Sequence, residues 1–401
     1  MKMKQGELIA LSASAMMLTA LGIDIMLPAF AELRKDYGLD QKSPETAKII
    51  SFFFLGQIAQ IIFGTLSDRF GRLPILRIGF PLYILGGIAA AFAPNLVFML
   101  GARFIAGVGA SAVFMTTIAS VRDRFCGNEM ARIMSLIFTV FLFTPVIAPF
   151  LGSAILHIAS WQAVFLAPPL FGFVVFLWSL RLDESLPKNK RTSLHFTSIS
   201  KSMGTVLHNR TFLRYTGITT LLFTALSSYV ASSEHIIGGI YGKPSWFPWI
   251  FGGMGLFMTL STFTNAHLSA KYGAHRTIKS LLIIYTLIAA GLLLGSISFG
   301  DPPNMLLFFI AVTLIMAITL AVEPNSCALA LEPLGSTAGT ASSLYGTTSF
   351  SIGAALGSII SNLMASSVFP LVLGYLVIGT CGLLLAFNDR RCPNNSPFES
   401  A

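Results

Sequence analysis

Apolar residues in this chain come in long runs, separated by short polar stretches. The runs lie near 7–32, 47–67, 75–93, 96–121, 131–156, 162–181, 211–235, 246–269, 278–298, 304–330, 338–364 and 368–387. About 20 consecutive apolar residues are what a helix needs to cross a bilayer. A membrane barrel would instead show segments near 10 residues with strict alternation, and no such alternation is present. Helices also satisfy their own backbone polar groups in lipid. The pattern therefore predicts an all-α membrane protein with about twelve transmembrane helices.

Composition agrees. The chain has 401 residues, 54% hydrophobic and 11% charged, with mean hydropathy +0.75. A soluble chain would carry about twice that charged fraction. The net charge of +9 becomes a topology signal once its sites are placed. With the N-terminus inside, only Arg34, Lys35, Lys42, Lys48 and Lys243 fall on outside segments, and Arg103 falls within a span. All other Lys and Arg of the 26 are on inside segments, as the positive-inside rule requires. Both termini are thus expected in the cytosol. The basic residues are scattered over many short loops, which argues against nucleic-acid binding. "AFA" at 29–31 has the look of a small-residue cleavage site. The apolar run before it is longer than a signal-peptide core and contains Asp24, so an uncleaved first helix is expected. Cys126, Cys327, Cys381 and Cys392 show no spacing pattern, and no disulfide is expected.

The polar, basic stretch "LDESLPKNKRTSLHFTSISKSMGTVLHN" divides the chain. It predicts an N-terminal six-helix bundle over 1–181, a cytosolic linker over 182–209, and a C-terminal six-helix bundle with a short cytosolic tail over 210–401. The halves echo each other. "LSDRFG" at 66–71 and "LSAKYG" at 268–273 each follow the second span of a half. "APFLGS" at 148–153 and "GAALGS" at 353–358 lie in the fifth span of each half. Two echoes at nearly one offset point to pseudo-repeats. Transporters built this way hold substrate near the midplane between the repeats.

Several stretches resemble the major facilitator superfamily. "GTLSDRFGRLPIL" at 64–76 resembles its loop 2–3 signature, matched at Gly64, Leu66, Asp68, Arg69, Gly71 and Arg72; Leu73 departs from it. "RFIAGVGAS" at 103–111 resembles the fourth-helix motif with its buried arginine. "FTPVIAPFLGSAI" at 143–155 is similar to the fifth-helix antiporter motif, with Ser153 where a second Gly is common. "DIMLPAF" at 24–30 resembles the start of the bicyclomycin and chloramphenicol resistance exporters, with Met26 in place of Tyr. "ALALEPLGSTAGTASSLYG" at 328–346 is similar to the same branch. The resemblance covers essentially the whole chain. It implies a proton-coupled antiporter, a monomer in the bacterial inner membrane, acting on small molecules and protons in the lipid bilayer.

Residue chemistry gives these motifs a reading of their own. Gly64 permits close helix approach and Gly71 a tight turn. Asp68 can accept from a neighbouring helix N-terminus or pair with Arg122 or Arg124. The family implies that Gly64, Asp68, Arg69, Gly71, Arg72, Arg122 and Arg124 latch the cytosolic side; a solvated turn would use the same residue types. Pro145 and Pro149 each remove a helix hydrogen bond. Together with Gly152 they make the fifth helix the one expected to bend.

Charges inside spans mark ion or substrate pathways. Asp24 is the candidate proton switch, with Pro28 loosening the helix beside it; a carboxylate fixing helix packing is the alternative. Arg103 is read as facing the central cavity, where it would poise the acids and orient a ligand, or as snorkelling to headgroups. Glu323 is followed by Pro324 and Asn325, which predicts a local break whose carbonyls line a polar pocket; a packing acid near the membrane edge is the alternative. Glu234 and His235 read as an outer-loop cluster. Phe114, Met115, Phe141, Tyr229 and Asn325 are cavity candidates by their place in inner spans.

No enzyme constellation appears. There is no phosphate-binding G-x-x-x-x-G-K-[ST] loop, no metal-ligand spacing and no G-x-S-x-G, so neither a cofactor nor a metal is expected. Three functions remain. The first is proton-coupled export of drug-like or amphipathic molecules by alternating access. The second is transport of a polar metabolite or metal chelator in either direction. The third is a non-transporting membrane receptor on the same fold.

Overall fold

The computed structural model describes residues 3–40, 43–191 and 203–388. Part of the 182–209 linker and the tail beyond Asn388 lie outside the described residues, as does Lys42. We number the membrane helices in chain order. They are α1 (Gln5–Asp24 continued by Phe30–Asp36), α2 (Ala47–Gly56 continued by Gln60–Phe70), α3 (Arg72–Ala91), α4 (Leu96–Arg124), α5 (Gly127–Leu156) and α6 (Trp161–Ser179). After the linker come α7 (Arg210–Glu234), α8 (Phe247–Tyr272), α9 (Ala274–Phe299), α10 (Met305–Leu331), α11 (Ala338–Thr347 and Gly353–Asn362) and α12 (Phe369–Phe387).

Among the described residues, nine of these helices are long and apolar enough, on those counts alone, to cross a membrane. The others have visible reasons to fall short. α7 carries nine Thr and Ser, α8 ends in a polar run from Ser261 to Lys271, and α11 is interrupted by a π-helical turn at Thr348–Ile352. Buried hydroxyls on α7 return to their own backbone: Thr220 Oγ1 donates to Thr216 O at 2.8 Å and Thr224 Oγ1 to Thr220 O at 2.9 Å. Such bonds make a Thr tolerable inside a helix that lies among other helices. Asparagines start three helices by accepting from first-turn amides: Asn95 from Phe98 N, Asn209 from Phe212 N and Asn304 from Leu306 N.

The sequence echoes have structural counterparts. α2 and α8 both end at a glycine of positive φ, Gly71 at 103° and Gly273 at 79°. In each, the glycine N–H closes the last turn onto a serine carbonyl, Ser67 at 3.1 Å and Ser269 at 3.0 Å. Gly152 of α5 lies directly against the Ile25 carbonyl of α1, and Gly357 of α11 against Ser227 and Ser228 of α7. A side chain at either glycine would push the two backbones apart.

Within the first six helices the main packing joins α3 to α4, α2 to α4, α1 to α5 and α3 to α6. Within the last six it joins α7 to α11, α7 to α10 and α9 to α12. Contacts between the two sets run along α5–α8 and α2–α11. Phe150 meets Trp249 edge-on at 5.1 Å, and Thr259 Oγ1 donates to Leu142 O at 3.2 Å. Gly64 faces Ser343, and Gly346 faces Gln60. We call the end of the bundle that holds Gln5 the terminal face and the opposite end the far face.

Candidate functional site

Asp24 is the last residue of the first α1 segment and is 5% exposed. The helix stops there. A 3₁₀ turn over Leu27–Ala29 follows, with Pro28 inside it, and the helix resumes at Phe30. The cause is local: Pro28 has no N–H to give the Asp24 carbonyl four residues earlier. Among the described residues no side chain pairs with the Asp24 carboxylate. The acid therefore sits where the helix is interrupted, with the next carbonyl, that of Ile25, held against Gly152 of the proline-containing α5. α5 itself runs through Pro145 and Pro149 as one helix.

Arg103 is also buried, at 2% exposure. Its Nη2 donates to the Gly22 carbonyl at 2.5 Å, and its guanidinium lies 4.4 Å above the Phe53 ring. Snorkelling is excluded by this placement. The arginine spans α4, α1 and α2, two residues short of Asp24, and bonds to backbone there instead of to a carboxylate.

Glu323 is half-buried on α10. The break expected at Pro324 is not found: α10 continues from Met305 to Leu331 with Pro324 inside it. The next side chain is bonded both within α10 and to α8. Asn325 Nδ2 donates to the Ala321 carbonyl at 3.2 Å and to Asn265 Oδ1 of α8 at 2.9 Å. The side chain after the proline thus bonds α10 to itself and to α8. Tyr345 of α11 donates to the Glu323 carbonyl at 3.4 Å and shares a 2.7 Å bond with Thr219 of α7. Cys327, one turn beyond Glu323, is within electrostatic reach of both Glu323 and Arg122. Asp24 and Glu323 occupy different levels of the bundle. Asp24 follows nineteen residues of helix from the terminal face, whereas Glu323 is eight residues from the end of α10 at that face.

The other cavity candidates divide. Phe114 and Phe141 are 5.7 Å apart in an apolar cluster with Met16, Val121 and Ile137. Met115 beside them is half-buried. Tyr229 is buried, bonded to Met254 Sδ at 2.9 Å and stacked on Phe251. A cavity of about 210 Å³ opens between α1 and α5, lined by Met17, Leu21, Phe143, Thr144 and Ile147. None of the charged candidates lines it.

The loop 2–3 residues converge, with partners the sequence did not reveal. Arg72 bonds Asp68 at 2.5 Å, Ser67 at 2.7 Å and both carboxylate oxygens of Asp123 at 2.8 and 3.3 Å. Asp68 thus pairs with Arg72, while Arg124 donates to Ser120 and to the Asp183 carbonyl. Arg69 lies over its neighbour Phe70, and Arg122 is exposed. The acid that caps the α3 N-terminus is Glu184 of the linker, accepting from Arg72 N at 2.9 Å and Leu73 N at 3.2 Å. An anion is favoured at a helix N-terminus, and Gly71 leaves the room it needs.

One constellation was not anticipated. Glu234, expected in an outer loop, is 5% exposed and takes both its oxygens to Arg34 Nη2, at 2.9 and 2.8 Å. Arg34 is itself 2% exposed and also donates to Thr46 at 2.9 Å. His235 is buried too, its Nε2 2.9 Å from the Ala365 carbonyl.

Among the described residues no group of three His, Cys, Asp or Glu could hold a metal ion. The family model described as Major Facilitator Superfamily matches residues 12–358. An uncharacterized MFS-type transporter, YdgK of Bacillus subtilis (strain 168), is 32% identical over 371 residues, 89% of each chain. The bicyclomycin resistance protein homolog of Haemophilus influenzae is 27% identical over 370 residues, 91% of this chain and 90% of the other. The multidrug resistance protein MdtL of Shigella flexneri serotype 5b is 29% identical over 233 residues, 58% of each. Two solved structures share the fold. The human organic anion transporter MFSD10 aligns with a TM-score of 0.72 at 16% identity, covering 96% of this chain and 99% of that one. The nucleoside transporter NupG aligns at 0.73 and 13%, covering 95% and 98%.

Proposed function

The chain belongs to the Major Facilitator Superfamily and is a multi-pass membrane transporter, and on that premise we propose that it is a proton-coupled exporter of drug-like, amphipathic small molecules. It works by alternating access, as a monomer in the bacterial inner membrane, with both termini cytosolic. The observation that carries this reading is Asp24: a carboxylate buried among apolar helices, without a side-chain partner among the described residues, at the break in α1. A charge in such a place is costly, and intramembrane acids mark ion and substrate paths. The relatives named for bicyclomycin and multidrug resistance support the substrate class.

Protonation couples to conformation only if Asp24 holds a proton with different affinity in the two states. A difference of one pKa unit would shift the populations about tenfold, or about 1.4 kcal/mol. The break supplies a way to create that difference, because movement of the Phe30–Asp36 segment changes what surrounds Asp24. Substrate and proton then compete along one central path, to which Asp24, Arg103, Glu323 and Asn325 contribute polar groups at different levels of the bundle. The Asp68–Arg72–Asp123 cluster serves as the latch of the cytosolic side, and α5 as the helix that adjusts while the halves rock.

Transport of a polar metabolite is the second reading. Buried hydroxyls at Thr216, Ser232 and Ser326 that have no partner among the described residues favour it, since they could bond a hydroxylated or amide-bearing ligand. Asp24→Asn tests the first reading. In vesicles under an imposed pH gradient, this variant should fold, as judged by a single symmetric elution peak, and lose uphill transport. Gradient-driven transport by Asp24→Asn at the parent's rate would move the proton carrier elsewhere, with Glu323 next in line.

A further inference from the structure

Arg34 and Glu234 hold together two parts of the chain that must separate. Arg34 is on the Phe30–Asp36 segment of α1, and Glu234 is the last residue of α7. One belongs to the first six helices and the other to the last six, and both are at the far face. A transporter that exposes its centre to each side in turn has to part its halves at each face in turn. At the far face, this pair lies across the parting line.

Its setting suits something that opens. The pair is flanked on both sides by irregular backbone. α1 is broken at residues 25–29, just before the segment that carries Arg34. α7 turns π-helical over His235–Ile240, immediately after Glu234. Segments of this kind absorb a change of direction without disturbing the helices they join. The pair is also a poor choice if only stability were served. Burying two charges costs much of what their attraction returns, whereas removing one partner leaves a buried charge uncompensated. On opening, both ions regain water. The contact therefore fixes the register of the closed face closely, through three bonds of 2.8–2.9 Å to Glu234 and Thr46, while leaving the open face accessible at modest cost. Among the described residues, Arg34 Nε has no partner in the closed arrangement.

We infer that Arg34 and Glu234 form the gate at the far face of the transport pathway. Closure of that face makes the bonds among Arg34, Glu234 and Thr46, and opening breaks them. Because the Arg34 segment is joined to Asp24 through the five residues of the α1 break, the gate and the buried acid move on one hinge. The inference needs alternating access only, and neither a drug substrate nor a proton. Its side of the membrane rests on the orientation proposed above.

The test uses the full chain with Cys126, Cys327, Cys381 and Cys392 replaced by Ser. Ala231→Cys is the reporter. It lies one turn inside Glu234 on the same helix face and is 4% exposed. A membrane-impermeant maleimide is applied to intact cells and, separately, to inside-out vesicles. Glu234→Gln leaves Arg34 buried without its counter-charge, which weakens the closed face. The thiol should then react about tenfold faster from one side, the change in population that 1.4 kcal/mol produces. Arg34→Glu combined with Glu234→Arg should return the rate towards that of the parent. Should Glu234→Gln fail to fold, Arg34→Lys retains the charge and loses the fork, and an intermediate rate is expected. A faster reaction in intact cells supports the gate and the orientation together. A faster reaction in inside-out vesicles supports the gate and overturns the orientation. Unchanged rates from both sides, or a rise that the charge exchange leaves in place, would overturn the gate.

Discussion

Gly71 shows how far one missing Cβ decides the local chemistry. Its φ of 103° is in the region that only glycine enters without strain. A Cβ there would also run into the Glu184 carboxylate that caps α3. Gly273 has the same backbone sign and open space around it. The two alanine variants should therefore differ. Gly273→Ala carries only the backbone strain, about 1–3 kcal/mol. Gly71→Ala carries that strain and loses the cap, about 1 kcal/mol more. Thermal unfolding in detergent would compare them, and equal shifts would mean that Glu184 contributes nothing to the turn. The need for glycine at 71 was legible in the motif. The identity of the capping acid was not, because Glu184 is distant in sequence and belongs to a stretch that reads as solvated linker.

Among elements, the breaks were read unevenly. The interruption of α1 followed from Pro28, whose missing N–H acts on the residue four positions earlier. The same reasoning at Pro324 predicted a break that α10 does not have. Nothing in the local sequence says that Asn325 will find Asn265 on another helix, 60 residues away, while also donating to Ala321. The π turn in α11 carried no proline and left no signal. Asn325→Ala should accordingly cost about 1–3 kcal/mol, the usual penalty when a buried partner is left unsatisfied. Combining it with Asn265→Ala should cost little more than the single change, since the two residues share one bond. A fully additive loss in the melting temperature would show that they act separately.

The whole molecule was the most legible scale. Helices, their number and their membrane setting follow from the lengths of the apolar runs, and the echoing glycines mark the same two turns and the same two close approaches in space. Orientation rests on where Lys and Arg fall. If both termini and the linker lie in the cytosol, as proposed, Lys42→Cys in intact cells should react with an impermeant thiol reagent and Ser193→Cys should not. The reverse pattern would invert the topology. The gate is the part that sequence could not reveal. A charge at a helix end looks the same whether it meets water or a partner 200 residues away, and Arg34 and Glu234 each passed for loop residues.

The start of the linker has a mechanical consequence. Glu184 is bonded to the first amides of α3, Ser185 to Asp123, and the Asp183 carbonyl to Arg124. Arg191 lies 3.7 Å from the Glu184 carboxylate. The chain leaving α6 is thus moored to α3 and α4 before it sets out for α7. The mooring lies beside Gly71 and Arg72. A pull on the chain at Arg191 would therefore meet the loop 2–3 turn before it met α6.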